Sequence, residues 1–125
     1  MRILLDTHVL LWTLADSPQI NKVRDLILSN ETEVYVSTVS WWELAIKIGI
    51  GKIDVKLDEI RAASADSGFI DLPVLGAHTQ TLLTLHMLHR DPFDRMLVAQ
   101  AISEPMRLIT NDYALREYSN LVEML

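Results

Sequence analysis

The N-terminal stretch MRILLDTHVLLW, residues 1–12, decides the fold class of this chain. Residues 2–5 form a short, continuous apolar run, which is typical of a strand buried on both faces of a sheet. Asp6 follows the run directly, and residues 8–14 have the pattern of a helix. A strand that leads at once into a helix favours a βα unit and therefore a parallel sheet.

The rest of the 125-residue chain repeats this alternation of strands and helices. Further apolar runs of strand length occupy residues 34–37, 69–72, 107–110 and 121–124. Helical patterns occupy residues 17–30, 37–51, 57–66, 76–88, 92–103 and 112–118. No linker or repeat divides the sequence, so we expect one domain over residues 1–125. Its expected fold is a three-layer α/β fold, with a mostly parallel central sheet of four to five strands flanked by helices.

The composition limits the classes of function. The net charge is −6, from 11 Lys and Arg against 17 Asp and Glu, which argues against binding nucleic acid through a basic surface alone. The absence of cysteine excludes a disulfide framework, a thiolate zinc site and a cysteine nucleophile. Apolar residues make up 50% of the chain, which favours a partner surface in addition to a core. No secretory signal or membrane span is recognisable, so a cytoplasmic protein is expected.

Acidic side chains follow two of the predicted strands. Asp6 comes directly after residues 2–5, and Asp112 comes two residues after 107–110. Each could simply cap the next helix, but strands of one parallel sheet deliver both carboxylates to the same edge. Asp94 lies in the first turn of the helix predicted over 92–103, which faces that edge in the usual βα arrangement.

A fourth acid, Glu43, lies within the helical stretch SWWELAIKIG. Val39, Ile46 and Ile50 share its helical face. A carboxylate on an apolar face is costly to bury unless it is paired or binds a metal. The alternative is an ion pair with Lys47, four residues further along the helix.

Carboxylates that are forced together repel, so either one of them is protonated or a cation neutralises them. Ligation by oxygen atoms alone suits Mg²⁺ or Mn²⁺. Such an ion can orient a water, lower its pKa and stabilise the leaving oxygen of a phosphodiester. Metal-assisted cleavage of a phosphodiester is therefore one chemistry that the acidic residues would allow, with no serine or histidine nucleophile required.

Other polar and aromatic residues have simpler expected roles. His86 and His89 are interpreted as a solvated or capping pair on one helix, and the pair Trp41 and Trp42 as core plus partner surface. Four basic residues are candidates for phosphate contact, namely Lys47, Lys52, Arg90 and Arg95. A solvated position is the simpler expectation for each of them.

Four stretches, LLDTHVLLW, SWWELAIKIGIGK, HRDPFDRMLVAQA and LITND, occur in an order and spacing that resemble a known family. The chain is similar to the PIN-domain ribonucleases, in particular the VapC-type toxins of bacterial and archaeal toxin–antitoxin pairs. The resemblance covers essentially the whole chain. No single stretch is decisive, but the ordered set is specific.

The resemblance implies a PIN-like α/β fold and an acidic site that binds Mg²⁺ or Mn²⁺ and cuts RNA, often structured RNA such as tRNA. The catalytic and metal-binding acids would be Asp6, Glu43, Asp94 and Asp112, and the supporting residues would be Thr7, Thr110 and Asn111. Asp91 falls outside this set, which implies that Asp91 caps the helix and that Asp94 faces the metal. His8 departs from the pattern, in which Asn or Ser is common.

The resemblance also implies protein partners. Proteins of this type are commonly homodimers, held inactive by a small antitoxin whose tail lies in an apolar groove and can push a basic side chain into the acidic site. Trp12, Trp41 and Trp42 would suit such a groove.

Two other classes of function remain as alternatives. A receiver-like, non-catalytic Mg²⁺-binding module usually needs an acidic pair after the first strand and a lysine after a late strand, and LITND offers no lysine. A phosphatase with an aspartate nucleophile usually has a second aspartate two residues after the first, which DTHV lacks.

Overall fold

The computed structural model describes all 125 residues, which form a five-stranded sheet covered by helices. The strands are β1 (Arg2–Leu5), β2 (Glu33–Ser37), β3 (Ile70–Leu72), β4 (Arg107–Thr110) and β5 (Val122–Met124). Their order across the sheet is β3-β2-β1-β4-β5, and every neighbouring pair is parallel. The predicted α/β fold is confirmed, with five strands and no antiparallel pair.

Six α-helices connect the strands. They are α1 (Thr7–Leu14), α2 (Arg24–Leu28), α3 (Thr38–Gly49), α4 (Leu57–Asp66), α5 (Gly76–Thr84) and α6 (Pro92–Ser103). Two short 3-10 helices, Pro18–Ile20 and Tyr113–Tyr118, complete the connections. None of the helices is both long and apolar enough to cross a membrane.

Three predicted helices differ from the structure. The segment 17–30 divides into a 3-10 turn and α2, and the Arg24 guanidinium stabilises the break by donating to the Ser17 carbonyl and the Asn21 side chain. The helix predicted over 76–88 ends at Thr84, because Leu85 is extended and packs against the core. The helix predicted over 112–118 is a 3-10 helix that begins at Tyr113.

The core lies on both faces of the sheet. Ile3 and Leu5 of β1 point to one face, whereas Leu4 points to the other, and all three are fully buried. The first face packs against α1 and α3 through residues that include Val9, Leu10, Trp41 and Leu44. The second packs against α6 through Leu97, Val98 and Ala101. Burial on both faces explains why β1 is apolar without alternation.

The order of the strands creates a switch point beside β1. The chain leaves β1 towards β2 and β3 on one side, and then crosses through α5 and α6 to β4 on the other side. In open parallel sheets, ligands bind beyond the carboxyl ends of the strands at this kind of point. The ends of β1 and β4 therefore mark the place to search for a site.

Replacing Leu4 by Ala should lower the free energy of unfolding by about 2–5 kcal/mol, because it leaves a cavity between the central strand and α6. Urea unfolding measures this. The matched control is Leu83→Ala, whose side chain is 84% exposed and whose removal should change stability little. Equal unfolding midpoints for the two variants would show that β1 is not at the centre of the core.

Candidate active site

An acidic cavity of about 460 Å³ opens at the carboxyl ends of β1 and β4. The four acids predicted from the sequence all line it: Asp6, Glu43, Asp94 and Asp112. Thr7 and Asn111 also line the cavity, and Thr110 lies buried behind it in contact with Asp6. The structure thus brings every predicted site residue to one place.

Asp6 is held by the elements on either side of it. One carboxylate oxygen accepts from the backbone N–H of Val9 at 2.8 Å, which caps α1, and the other accepts from the Thr110 hydroxyl at 2.5 Å. The same hydroxyl accepts from the backbone N–H of Asp112 at 3.0 Å, so Thr110 ties two acids together. Burial raises the pKa of Asp6, although the hydrogen bonds from Thr110 and Val9 oppose the shift.

Glu43 is buried and doubly hydrogen-bonded. Its Oε1 accepts from the Thr7 hydroxyl at 2.7 Å, and its Oε2 pairs with Lys47 Nζ at 2.7 Å. The predicted ion pair with Lys47 therefore forms, and Glu43 also lines the cavity, whereas binding of a metal by Glu43 stays a prediction. The predicted apolar face is only partly buried: Val39 is in the core, but Ile46 and Ile50 are exposed.

The two aspartates at the start of α6 have different positions. Asp91 Oδ1 accepts from the backbone N–H groups of Phe93 and Asp94, at 2.9 and 3.4 Å, so Asp91 caps the helix as predicted. Asp91 also borders the cavity. The pKa of Asp94 is raised to about 7, chiefly by burial and then by the nearby charges of Asp91 and Asp6. Too many negative charges converge here for all of them to ionise freely.

His89 links two of the acids, which the sequence did not predict. Its Nε2 lies 2.8 Å from Asp112 Oδ2 and 3.2 Å from Asp94 Oδ2. Burial lowers the pKa of His89, but the hydrogen bond and charge of Asp112, together with Asp94, raise it overall. The expected helical pair with His86 is wrong, because α5 ends at Thr84 and both histidines follow it. The sequence feature that could have indicated this contact is the position of His89, two residues before the helix cap Asp91 and therefore close to the acids at the start of α6.

The rim of the cavity is aromatic. The rings of His8 and Trp12 lie 6.0 Å apart, and both residues border the cavity. His8 is exposed and therefore lies at the entrance rather than among the buried acids.

The set of donors fits a hard divalent cation. Five carboxylates border the cavity against one lysine and two histidines, so the negative charge is not balanced. Carboxylate and amide oxygens are the ligands that Mg²⁺ and Mn²⁺ prefer. The raised pKa of Asp94 reflects the same excess of negative charge, which a bound cation would relieve.

Replacing Asp94 by Asn should raise the melting temperature in chelator above neutral pH. The folded-state pKa of about 7 lies above the ordinary value, so ionising Asp94 costs stability as the pH rises from about 4 to 7. The gain over wild type should therefore be absent near pH 4 and complete above pH 7. The exposed Asp54→Asn variant, measured by the same thermal scans, should show no such pH dependence. If the difference in melting temperature between Asp94→Asn and wild type stays the same at every pH, Asp94 does not experience the proposed repulsion.

Comparison with known proteins gives the family. The PIN domain family model matches residues 3–121. The chain is 27% identical over 119 residues to ribonuclease VapC22 of Mycobacterium tuberculosis, which covers 93% of this chain and 91% of that protein.

Two solved structures share the fold. VapBC2 from Rickettsia felis, bound to a DNA fragment from its promoter, has a TM-score of 0.73 at 16% identity and covers 100% of this chain and 98% of that one. A toxin–antitoxin complex from Klebsiella pneumoniae has a TM-score of 0.64 at 15% identity, over 98% and 95% of the two chains. These findings do not favour a receiver-like module. From the ordered acids, the parallel sheet and the family match over nearly its whole length, we conclude that this chain belongs to the PIN domain family.

Proposed function

We propose that this chain is a metal-dependent endoribonuclease and that residues 1–125 act as one catalytic domain. The observation that carries the proposal is the convergence of four carboxylates from four different segments on one cavity at the switch point of the sheet. The 27% identity to a protein named as a ribonuclease supports RNA as the substrate class, and tRNA is the substrate that we propose to test first.

Mg²⁺ or Mn²⁺ would be held by Asp6, Glu43, Asp94 and Asp112. When bound, the ion lowers the pKa of a water and stabilises negative charge on the phosphate oxygens. The other residues hold the acids in place: Thr110 fixes Asp6 and the backbone of Asp112, and Thr7 and Lys47 fix Glu43. Asn111 lies beside Asp112 on the cavity wall, where its amide can orient the substrate.

We further propose that the chain is the toxin of a toxin–antitoxin pair and forms a homodimer. Support comes from the Klebsiella pneumoniae structure, which is itself a toxin–antitoxin complex of the same fold. The chain has exposed apolar side chains that a partner can cover, among them Trp42 and Leu83. Trp41 does not contribute, because it is buried and its indole N–H donates to Asp71 at 3.0 Å.

The pair of variants Asp91→Asn and Asp94→Asn tests the proposal. Asn is also a good helix cap, so Asp91→Asn should retain most of the RNA cleavage. Asp94→Asn keeps the size of the side chain but removes a metal ligand. It should lower the cleavage rate at least about 100-fold, because replacing a residue that merely hydrogen-bonds to a metal ligand already lowers activity about 10–100-fold. The measurement is the cleavage rate of purified protein on total tRNA with Mn²⁺ present.

Circular dichroism should confirm that both variants are folded. Equal cleavage by the two variants would refute the assignment of Asp94. If the wild type cleaves no RNA with either metal, the proposed activity itself is wrong.

A further inference from the structure

A second cavity, of about 410 Å³, adjoins the acidic one. The two share Glu43, Lys47 and Asp91 as a common wall, so a molecule that extends out of the acidic cavity can pass directly into the second. The second cavity has a different character. Three cations border it, namely Lys47, Lys52 and Arg90.

Two of these cations have no partner within the protein. The side chains of Lys52 and Arg90 are exposed and form neither a hydrogen bond nor an ion pair. Elsewhere, Arg24, Arg61 and Arg107 are paired with acids. In a chain of net charge −6, two unpaired cations beside the most acidic cavity attract an anion that the acidic cavity alone would repel.

The backbone places Lys52 there by a defined turn. Gly51 follows the C-cap of α3 and has a φ of 76°, in the left-handed region that favours glycine. The backbone N–H of Lys52 donates to the Lys47 carbonyl at 2.9 Å, and that of Gly51 donates to the Ile48 carbonyl at 3.1 Å. These two bonds form the Schellman arrangement, which turns the chain back on the helix and holds Lys52 beside Lys47.

The remaining wall of the second cavity is apolar. It is formed by Ile46, Ile50, Pro92 and Phe93, and the two isoleucines are exposed. The ring of Phe93 is fixed by an edge-to-face contact with Trp42, with ring centroids 5.0 Å apart. An apolar wall beside unpaired cations suits a ligand that has both phosphates and flat apolar faces, as a single-stranded nucleic acid has.

We propose that the second cavity binds the RNA strand next to the bond that is cut. Lys52 and Arg90 contact a flanking phosphate, and the apolar wall receives the adjoining base. This inference rests on the proposed ribonuclease function. Lys47 remains paired with Glu43 at the boundary and is not part of the phosphate contact.

The test compares two double variants with the same change in charge. Lys52→Ala/Arg90→Ala removes the two cations that would bind the phosphate, and Lys22→Ala/Lys56→Ala removes two exposed lysines that border neither cavity. Each is placed in the Asp94→Asn background, which prevents cleavage. Binding of a fluorescent single-stranded oligoribonucleotide is measured from low to moderate salt.

The first variant should bind RNA about fivefold more weakly at about 0.1 M salt for each cation that no longer neutralises a phosphate. The slope of log K against log salt should flatten by about 0.7 for each such phosphate. The control should keep the slope of the parent. In the active protein, Lys52→Ala/Arg90→Ala should raise KM for the oligoribonucleotide, whereas the Lys22→Ala/Lys56→Ala control should keep the KM of the parent.

Equal RNA affinities and salt slopes for the two double variants would overturn the inference, while cleavage by the wild type would still support the proposed function. Absence of cleavage by the wild type would instead defeat the proposed function. If oligoglutamate displaces RNA as effectively as an oligoribonucleotide of equal charge, the cavity binds an acidic protein segment and the assignment to RNA is wrong.

Discussion

Repulsion among carboxylates at the carboxyl ends of β1 and β4 is the constraint on which the site depends. Each acid has a neighbour that lowers the free-energy cost of its negative charge. Thr110 donates to Asp6, and Lys47 pairs with Glu43. His89 lies between Asp94 and Asp112. These neighbours do not remove the excess charge, because the pKa of Asp94 still rises to about 7. The site therefore stores unfavourable electrostatic energy that a divalent cation can release.

Helix capping and ligand binding are not alternatives in this fold. Asp6 caps α1, and Asp112 accepts from the backbone N–H of Ala114 at the start of a 3-10 helix, yet both carboxylates border the cavity. Capping fixes one oxygen of each carboxylate and so orients the other. Only at α6 are the tasks divided, where Asp91 holds the helix and Asp94 faces its acidic neighbours. The helix ends thus position the acids before any ligand binds.

The sequence predicted what depends on neighbours in the chain. Asp6 follows an apolar strand directly and Asp112 comes two residues after another, and the parallel alternation of strands and helices was enough to bring them to one edge. The contacts of His89 were not predicted, because they depend on where α5 ends and how residues 85–91 lead into α6, which no periodicity encodes. Ile46 and Ile50 were predicted to share an apolar helical face with Glu43, but both are exposed, because helical spacing alone does not reveal which part of a face the rest of the fold covers.

The central claim is that these acids hold a divalent ion and that the ion is required to cut RNA. Titrating Mn²⁺ into the chelator-treated protein tests it most directly, with bound Mn²⁺ followed by electron paramagnetic resonance and RNA cleavage measured in the same samples. The account predicts no cleavage without metal and an activity that saturates together with Mn²⁺ binding. Cleavage that persists in chelator, or Mn²⁺ binding that saturates without any cleavage, would contradict it.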